Sequence, residues 1–131
     1  LTFYGSSQYG YLSGSNDGGL SSFGLNVTSE VGEWTTPYML DPTNPDIMYA
    51  AYGNVHKSLD GGLSWNPISN FPVNPGLGQP NISSALAVAK SNPNYIYVAK
   101  RFYYSYGEPS AMWVTTDGGT TWTDRSLGLP D

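Results

Sequence analysis

The sequence predicts an all-β fold built from repeated four-stranded antiparallel units. Its 16 Gly and 10 Pro indicate many turns, while 4 Trp, 11 Tyr and 4 Phe supply much apolar surface to bury. Short apolar runs separated by Gly, Pro, Asn and Asp are typical of strands joined by hairpins. No stretch of ten residues shows a helical period. The decisive observation is an internal repeat.

The repeat is visible in two sets of matching segments. One set contains an Asp-Gly-Gly core, and its aspartates lie 43 and 57 residues apart: 15–19, 58–65 and 115–122. The other set pairs two Asn-Pro segments that are 48 residues apart: 44–51 and 92–99. The period is therefore about 45 residues, and the larger spacing of the last repeat predicts an insertion near 101–110.

Each repeat contains four short strand-like runs. In the middle repeat we predict strands at 37–40, 47–52, 55–58 and 64–68. In the last repeat we predict them at 85–89, 95–100, 111–115 and 121–123. Four strands recurring every 40 to 50 residues are typical of a β-propeller blade.

The repeats predict about two and a half blades. Residues 1–25 form the C-terminal part of one blade, 34–69 and 81–126 form two full blades, and 127–131 lead into the next blade. A hairpin insertion near 101–110 belongs to the second full blade. Since a closed propeller has roughly four or more blades, we expect a fragment of a larger propeller or one part of an assembly of copies.

The repeated core resembles the Asp-box, or BNR repeat, with the pattern Ser/Thr-x-Asp-x-Gly-x-Thr/Ser-Trp. The matching residues are Ser58, Asp60, Gly62, Ser64 and Trp65, then Thr115, Asp117, Gly119, Thr121 and Trp122. The first copy keeps Ser15, Asp17 and Gly19 but has Ser22 where the aromatic residue belongs, with Phe23 one position later. The resemblance is to the sortilin-like and xyloglucanase-like group of Asp-box propellers.

The residue types of the box predict a structural turn. Glycine supplies backbone angles that a Cβ would oppose, and the aspartate can accept hydrogen bonds from its own turn. The tryptophan can cover apolar area between neighbouring sheets. Each box brings one carboxylate, whereas calcium takes about six to eight oxygens. We therefore predict neither a metal site nor a cofactor.

Composition excludes several functions. Five Lys and Arg against ten Asp and Glu give a net charge of −5, which disfavours nucleic acids and anionic membrane surfaces. No apolar run reaches the roughly 18 residues that span a bilayer. No cysteine and a single histidine exclude thiol chemistry and any site with two imidazoles. Sialidases use three arginines, and only Arg101 and Arg125 are present.

Few side chains are candidates for chemistry. A glycosidase needs two carboxylates about 5 to 9 Å apart. Glu30 and Glu33 lie in the linker between blades, as loop charges or as part of a site on that face. Asp41 and Asp46 are expected to be solvated caps in a Pro-rich turn, and His56 an exposed strand residue. No catalytic set is visible.

The insertion is the most individual feature of the chain. Its tyrosines can stack on sugar rings or contact a protein, or they can pack on the neighbouring blade: Tyr103, Tyr104 and Tyr106. The resemblance implies a secreted, cell-surface or periplasmic propeller scaffold that binds protein or glycan, together with the rest of its own propeller or further copies. The alternative is part of a xyloglucanase-like glycoside hydrolase whose catalytic carboxylates lie outside or at the edge of this chain.

Overall fold

The computed structural model describes residues 1–101 and 109–129. Tyr103, Tyr104 and Tyr106, with most of the predicted insertion, lie outside the described residues, and their role stays a prediction.

The described chain forms three larger antiparallel sheets. The first sheet contains β1 (Phe3–Ser6), β2 (Leu12–Ser15) and β3 (Phe23–Leu25), with a short 3-10 turn at Gln8–Gly10. The second sheet contains β4 (Tyr38–Leu40), β5 (Met48–Ala51), β6 (Val55–Ser58) and β7 (Asn66–Pro67). A small hairpin of β8 (Val73–Asn74) and β9 (Gln79–Pro80) leads to the third sheet, which contains β10 (Ser83–Val88), β11 (Ile96–Lys100), β12 (Ala111–Thr115) and β13 (Thr123–Asp124).

The predicted all-β fold of four-stranded antiparallel sheets is confirmed. Strands follow one another in chain order within the second and third sheets, so every strand pairs with its sequence neighbour. The β8–β9 hairpin was not predicted, because Pro72, Pro75 and Pro80 gave this segment the pattern of a loop.

The three sheets share one register, which makes their residues directly comparable. Phe3 pairs with Ser15, Met48 with Ser58, and Ile96 with Thr115, in each case just before an Asp-Gly-Gly turn. One position further along, Tyr4, Tyr49 and Tyr97 therefore occupy equivalent places. The sequence repeat is thus a repeat of strand register.

The second sheet is buried on both faces. Met48 and Ala50 pack with Leu12 and Leu25 of the first sheet. Their neighbours in β5, Tyr49 and Ala51, belong to a cluster shared with the third sheet, whose other members include Val55, Ile96 and Val98. Because side chains alternate along a strand, β5 has no polar face, and its four residues are all buried. The position equivalent to Tyr49, which is 1% exposed, is Tyr97, which is 39% exposed.

The Asp-Gly-Gly turns lie at one end of the strands, on the same side of all three sheets. In the second sheet the hydroxyl of Ser58 accepts the N–H of Gly62 at 2.8 Å and donates to Asp60 Oδ1 at 2.7 Å. Asp60 accepts the N–H of Ser64 at 2.9 Å and its hydroxyl at 2.6 Å. These hydrogen bonds hold the pKa of Asp60 at about 2. Both glycines have positive φ angles, 70° and 90°, which favour residues without a Cβ.

All three turns have this geometry, including the degenerate first copy. Asp17 accepts the N–H and hydroxyl of Ser21 at 3.0 and 2.6 Å, and Asp117 does the same for Thr121 at 2.9 and 2.6 Å. The bonds of the Ser/Thr and Asp positions therefore form without a tryptophan in the first copy, whereas in the second copy Trp65 Nε1 also donates to the carbonyl of Gly62 at 2.9 Å. Trp122 Nε1 instead donates to the carbonyl of Ile68 at 2.7 Å and so ties the third sheet to the end of β7.

We expect Ser58→Ala to lower the free energy of unfolding by about 1–3 kcal/mol, because the buried N–H of Gly62 loses its acceptor. Chemical denaturation followed by tryptophan fluorescence measures this. Ser22→Ala is the matched control, since that side chain is exposed and follows the first turn; it should change the free energy by less than about 0.5 kcal/mol. Equal effects of the two substitutions would contradict a stabilising turn.

Candidate functional site

The opposite ends of the strands carry the linkers, and we call this surface the linker face. It contains the turn between β5 and β6 and the linkers 26–37 and 68–82. Direct contacts join them: Asn54 of the β5–β6 turn bonds to Glu30 of the first linker, and the N–H of Ser83 donates to the carbonyl of Tyr52. The linkers therefore form one continuous surface.

A groove of about 490 Å³, here called the aromatic groove, opens on this face. It brings together one side of the first linker, the β8–β9 hairpin and the end of β11. Its lining residues are Tyr9, Val31, Gly32, Glu33, Trp34, Leu77, Gln79, Ile82 and Arg101.

Two exposed aromatic rings form one wall of the aromatic groove. Tyr9 and Trp34 meet edge to face, with ring centroids 5.3 Å apart and an interplanar angle of 84°. Tyr9 is 52% exposed and Trp34 is 56% exposed, so each ring presents apolar surface to solvent. Aromatic pairs of this geometry are rigid anchors in binding sites.

The backbone of Tyr9 is held in an uncommon conformation. Its φ of 62° and ψ of 28° lie in the left-handed region, which costs a non-glycine residue about 1–3 kcal/mol. The N–H of Tyr9 donates to the carbonyl of Glu33 at 3.1 Å, and the N–H of Gly32 donates to the carbonyl of Tyr9 at 3.2 Å. The linker thus holds the strained backbone, and with it the ring, against Trp34.

The β8–β9 hairpin is fixed to the first linker by one side chain. Gln79 Nε2 donates to the carbonyl of Val31 at 2.9 Å, and Gln79 Oε1 accepts the N–H of Val31 at 3.0 Å. The side-chain amide thus bonds to the backbone of Val31 as a neighbouring strand would. Both residues line the aromatic groove.

An ion pair supplies the charge of the aromatic groove. Arg101 Nη2 lies 2.9 Å from Glu33 Oε1, and the Glu33 side chain is only 12% exposed. The other carboxylate oxygen of Glu33 accepts no hydrogen bond from the described residues. Glu33, which the sequence left open between a loop charge and a site residue, is therefore a half-buried groove residue.

Glu30 is a structural anchor of the first linker. Its carboxylate accepts the N–H and the side-chain amide of Asn54, each at 2.8 Å. Burial alone would raise the pKa of Glu30, but the His56 imidazole and the two Asn54 bonds together lower it to about 2. The carboxylate is thus ionised at all physiological pH values, which does not suit the proton donor of a glycosidase.

Two expectations from the sequence are wrong. His56 is 6% exposed rather than an exposed strand residue; it packs edge to face on Tyr52, and its Nε2 lies 3.6 Å from Glu30 Oε2. Asp41 caps its turn as expected, by accepting the N–H of Thr43 at 2.8 Å, but it is 6% exposed rather than solvated and also accepts the buried hydroxyl of Tyr49 at 3.0 Å. Asp46 is exposed, as expected for a solvated turn residue.

Lys100 joins the second and third sheets, a role that the sequence analysis missed. Its ammonium donates to the carbonyls of Gly53, at 2.6 Å, and Asn81, and lies 4.6 Å from the centroid of the Phe71 ring. Burial lowers its pKa to about 8, although the nearby Glu30 carboxylate acts in the opposite direction. The repeat register contained the signal, because Lys100 is equivalent to Tyr52, whose hydroxyl donates to the carbonyl of Gly10 at 2.5 Å.

Within 1–101 and 109–129, no three His, Cys, Asp or Glu side chains are grouped in a way that could hold a metal ion. The same residues contain no helix with the length and apolarity needed to span a bilayer.

Comparison with known proteins places the fold. Over 95% of its length the chain matches an ancestral GH74 enzyme, with a TM-score of 0.70 and 20% identity, and covers 16% of that structure. It matches the GH74 enzyme of Niastella koreensis with a TM-score of 0.65 and 20% identity, covering 95% of this chain and 20% of the other. A structure of YCF48 bound to D1 peptide matches 92% of this chain and is covered to 35%, with a TM-score of 0.53 and 16% identity.

The fold is that of a β-propeller. A curated relative, the vacuolar protein sorting/targeting protein 10 of Talaromyces marneffei, is 33% identical over 87 residues, which are 66% of this chain and 5% of that protein. No family model matches the chain. The chain therefore spans about a twentieth of this relative and a fifth or less of the two GH74 structures, and the likeness to the solved structures concerns the fold alone.

We expect Glu30→Gln to remove an acid-sensitive contribution to stability. The ordinary pKa of 4.5 falls to about 2 on folding, so the ionised carboxylate stabilises the fold above about pH 5, and this contribution is lost as the pH falls towards 2. At pH 7 the variant should be less stable by about 1–2 kcal/mol, since solvent partly screens the carboxylate.

Urea unfolding at pH 7, 4 and 3 measures this difference, which should shrink as the solution becomes more acidic. Asp46→Asn changes an exposed carboxylate in the β4–β5 turn, at the strand ends away from the linker face. Its free energy of unfolding should follow that of the wild type at each pH. A difference between wild type and Glu30→Gln that stays constant with pH would show that the charge of Glu30 contributes nothing.

Proposed function

We propose that the chain is part of a glycan-binding β-propeller and that the aromatic groove of the linker face holds the sugar. The observation that carries this proposal is the exposed pair Tyr9 and Trp34, fixed at 5.3 Å by a strained but hydrogen-bonded backbone. Exposed apolar patches that are rimmed by polar residues mark ligand-binding grooves or interaction sites.

The chemistry of the groove suits a pyranose ring. A sugar presents C–H groups on its faces, which pack on aromatic rings, and hydroxyl groups at its rim, which need hydrogen-bonding partners. Trp34 and Tyr9 supply the rings. Gln79, Glu33 and Arg101 supply polar groups around them.

The backbone of the groove argues against binding of a peptide by strand addition. That mode requires free N–H and C=O groups along an exposed edge. Here the N–H and carbonyl of Val31 are both bonded to Gln79, and the N–H groups of Gly32 and Tyr9 are also used within the protein. Side chains rather than backbone groups must therefore recognise the ligand.

The charges of the face favour binding over hydrolysis within this chain. Glu30 is ionised and fully engaged with Asn54, and Glu33 is paired with Arg101. The likeness of the fold to GH74 enzymes is the reason to keep the alternative, a propeller glycoside hydrolase whose catalytic carboxylates lie outside or at the edge of this chain.

The location we propose is secreted, cell-surface or periplasmic; the vacuolar sorting protein among the relatives supports the coarser statement of a secretory route. Further blades or copies would cover the open sheet faces. Tyr103, Tyr104 and Tyr106 remain candidates for additional contacts. The YCF48 structure, which holds a peptide, is the reason to include peptides in the test below.

We expect Trp34→Ala to weaken binding to soluble neutral β-glucans by about tenfold or more, because an anchoring aromatic ring contributes about 1.4 kcal/mol or more. Titration calorimetry with xyloglucan and with mixed-linkage glucan measures this. Tyr95→Ala is the matched control and should leave binding unchanged. This ring is 39% exposed but lies at the strand ends away from the linker face, beside the Asn92 turn.

The proposal fails if both variants bind glycans like the wild type or if no glycan binds. Trp34-dependent capture from a peptide array, in the absence of any glycan binding, would replace the glycan with a protein partner.

A further inference from the structure

A second groove, here called the side groove, adjoins the aromatic groove on the linker face. It has a volume of about 620 Å³ and is formed by the turn that joins β1 to β2, the start of β2, the end of β3 and the first linker. Its lining residues are Tyr9, Gly10, Tyr11, Leu12, Gly24, Leu25, Asn26, Val27, Thr28, Ser29, Glu30, Val31 and Tyr52.

The two grooves are adjacent. Tyr9 and Val31 line both of them. The same left-handed turn that sets the Tyr9 ring against Trp34 thus forms the ridge between the grooves. A ligand that leaves the aromatic groove over this ridge enters the side groove.

The side groove contains the same kinds of groups as the aromatic groove. Tyr11 is 75% exposed and provides a second ring. Asn26 and Ser29 are exposed and Thr28 is half-buried, so residues with amide and hydroxyl groups also line the side groove. The ionised Glu30 at its inner wall and the net charge of −5 disfavour an anionic ligand.

The sizes of the grooves indicate a ligand longer than one sugar. Pockets of roughly 300–1,000 Å³ hold a drug-sized molecule, and each groove lies in this range, at about 490 and 620 Å³. Each groove alone therefore has room for more than one pyranose unit.

The relative position of the grooves is fixed before any ligand binds. Tyr52, at the inner wall of the side groove, donates its hydroxyl to the carbonyl of Gly10, and Glu30 binds Asn54 through two hydrogen bonds. Preformed sites lose little conformational entropy on binding. The protein therefore loses little conformational entropy when a ligand occupies both grooves.

We infer that the ligand is a linear neutral glycan that crosses the Tyr9–Val31 ridge, and that the side groove is a second sugar subsite with Tyr11 as its stacking ring. This inference rests on the proposed function, since it extends the ligand of the aromatic groove. It assigns a binding role to Tyr11 and a minimum length to the ligand.

The test is the dependence of affinity on oligosaccharide length. Neutral β-glucan oligomers of increasing length are titrated into the wild type and into Trp34→Ala, Tyr11→Ala and Tyr11→Phe. For the wild type, the dissociation constant should fall with length until both grooves are filled and then level off.

Tyr11→Ala should remove the gain from length, so that the longest oligomers bind about tenfold more weakly and the shortest bind as to the wild type. Tyr11→Phe, which keeps the ring, should retain the gain. Trp34→Ala should weaken binding at every length. Circular dichroism and urea unfolding establish that each variant is folded, as expected for substitutions at exposed side chains.

The two proposals fail in different ways. If Trp34→Ala weakens binding but Tyr11→Ala follows the wild type at all lengths, the side groove is not a subsite and the proposed function stands. If affinity does not change with length, the inference also fails. If no oligomer binds, or Trp34→Ala has no effect at any length, the proposed function fails together with it.

Discussion

The surface that carries the grooves depends on one carboxylate. The first linker, residues 26–37, contains no regular secondary structure, and Glu30 is the residue that attaches it to the second sheet, through the backbone and side chain of Asn54. Asn54 also binds the second linker, because its Oδ1 accepts the N–H of Phe71 and the hydroxyl of Ser69. One half-buried amide thus joins two linkers that are about 40 residues apart in sequence. The side chains of both grooves are attached to this frame.

The same frame shows how a repeat can keep its geometry while its chemistry changes. Tyr52 and Lys100 occupy equivalent positions, and each donates to a carbonyl in the turn of the preceding sheet, Gly10 for the former and Gly53 for the latter. The hydroxyl is neutral, whereas the ammonium loses hydration on burial and gains two carbonyls and an aromatic face in return. At another equivalent position, His56 is covered by Glu30 and Trp113 is covered by Phe71, with ring centroids 5.0 Å apart. Each linker therefore matches the residue that it covers.

The sequence predicted the sheets well because strand pairing within a repeat is local. Regular turns and a period of about 45 residues placed β4 to β6 and β10 to β12 within a few residues of their observed bounds.

The site was less predictable, because it consists of contacts between linkers. Nothing near Glu30 in sequence indicates that Asn54 is its partner, and Tyr9 has an ordinary sequence context despite its left-handed backbone. His56 and Asp41 were misjudged for the same reason: burial of a polar side chain depends on what another repeat places over it. Comparison of equivalent positions would have corrected His56, since Trp113 at the same position is a large apolar residue.

The last strand of each four-stranded sheet is short, which has a consequence for how such a chain behaves before it is fully assembled. β7 and β13 each contain two residues, and half of β7 is Pro67, which has no N–H to donate. A second polypeptide that approached this edge would find few free backbone groups to pair with, although the sheet behind it is rich in apolar side chains. Long regular edges are the sites where β-proteins aggregate. Proteins of this architecture expose several sheets while they are being synthesised. Because the last strand of each sheet offers few free backbone groups, pairing along that edge is disfavoured. The sheets then associate by packing face to face, which is how they pack in the fold.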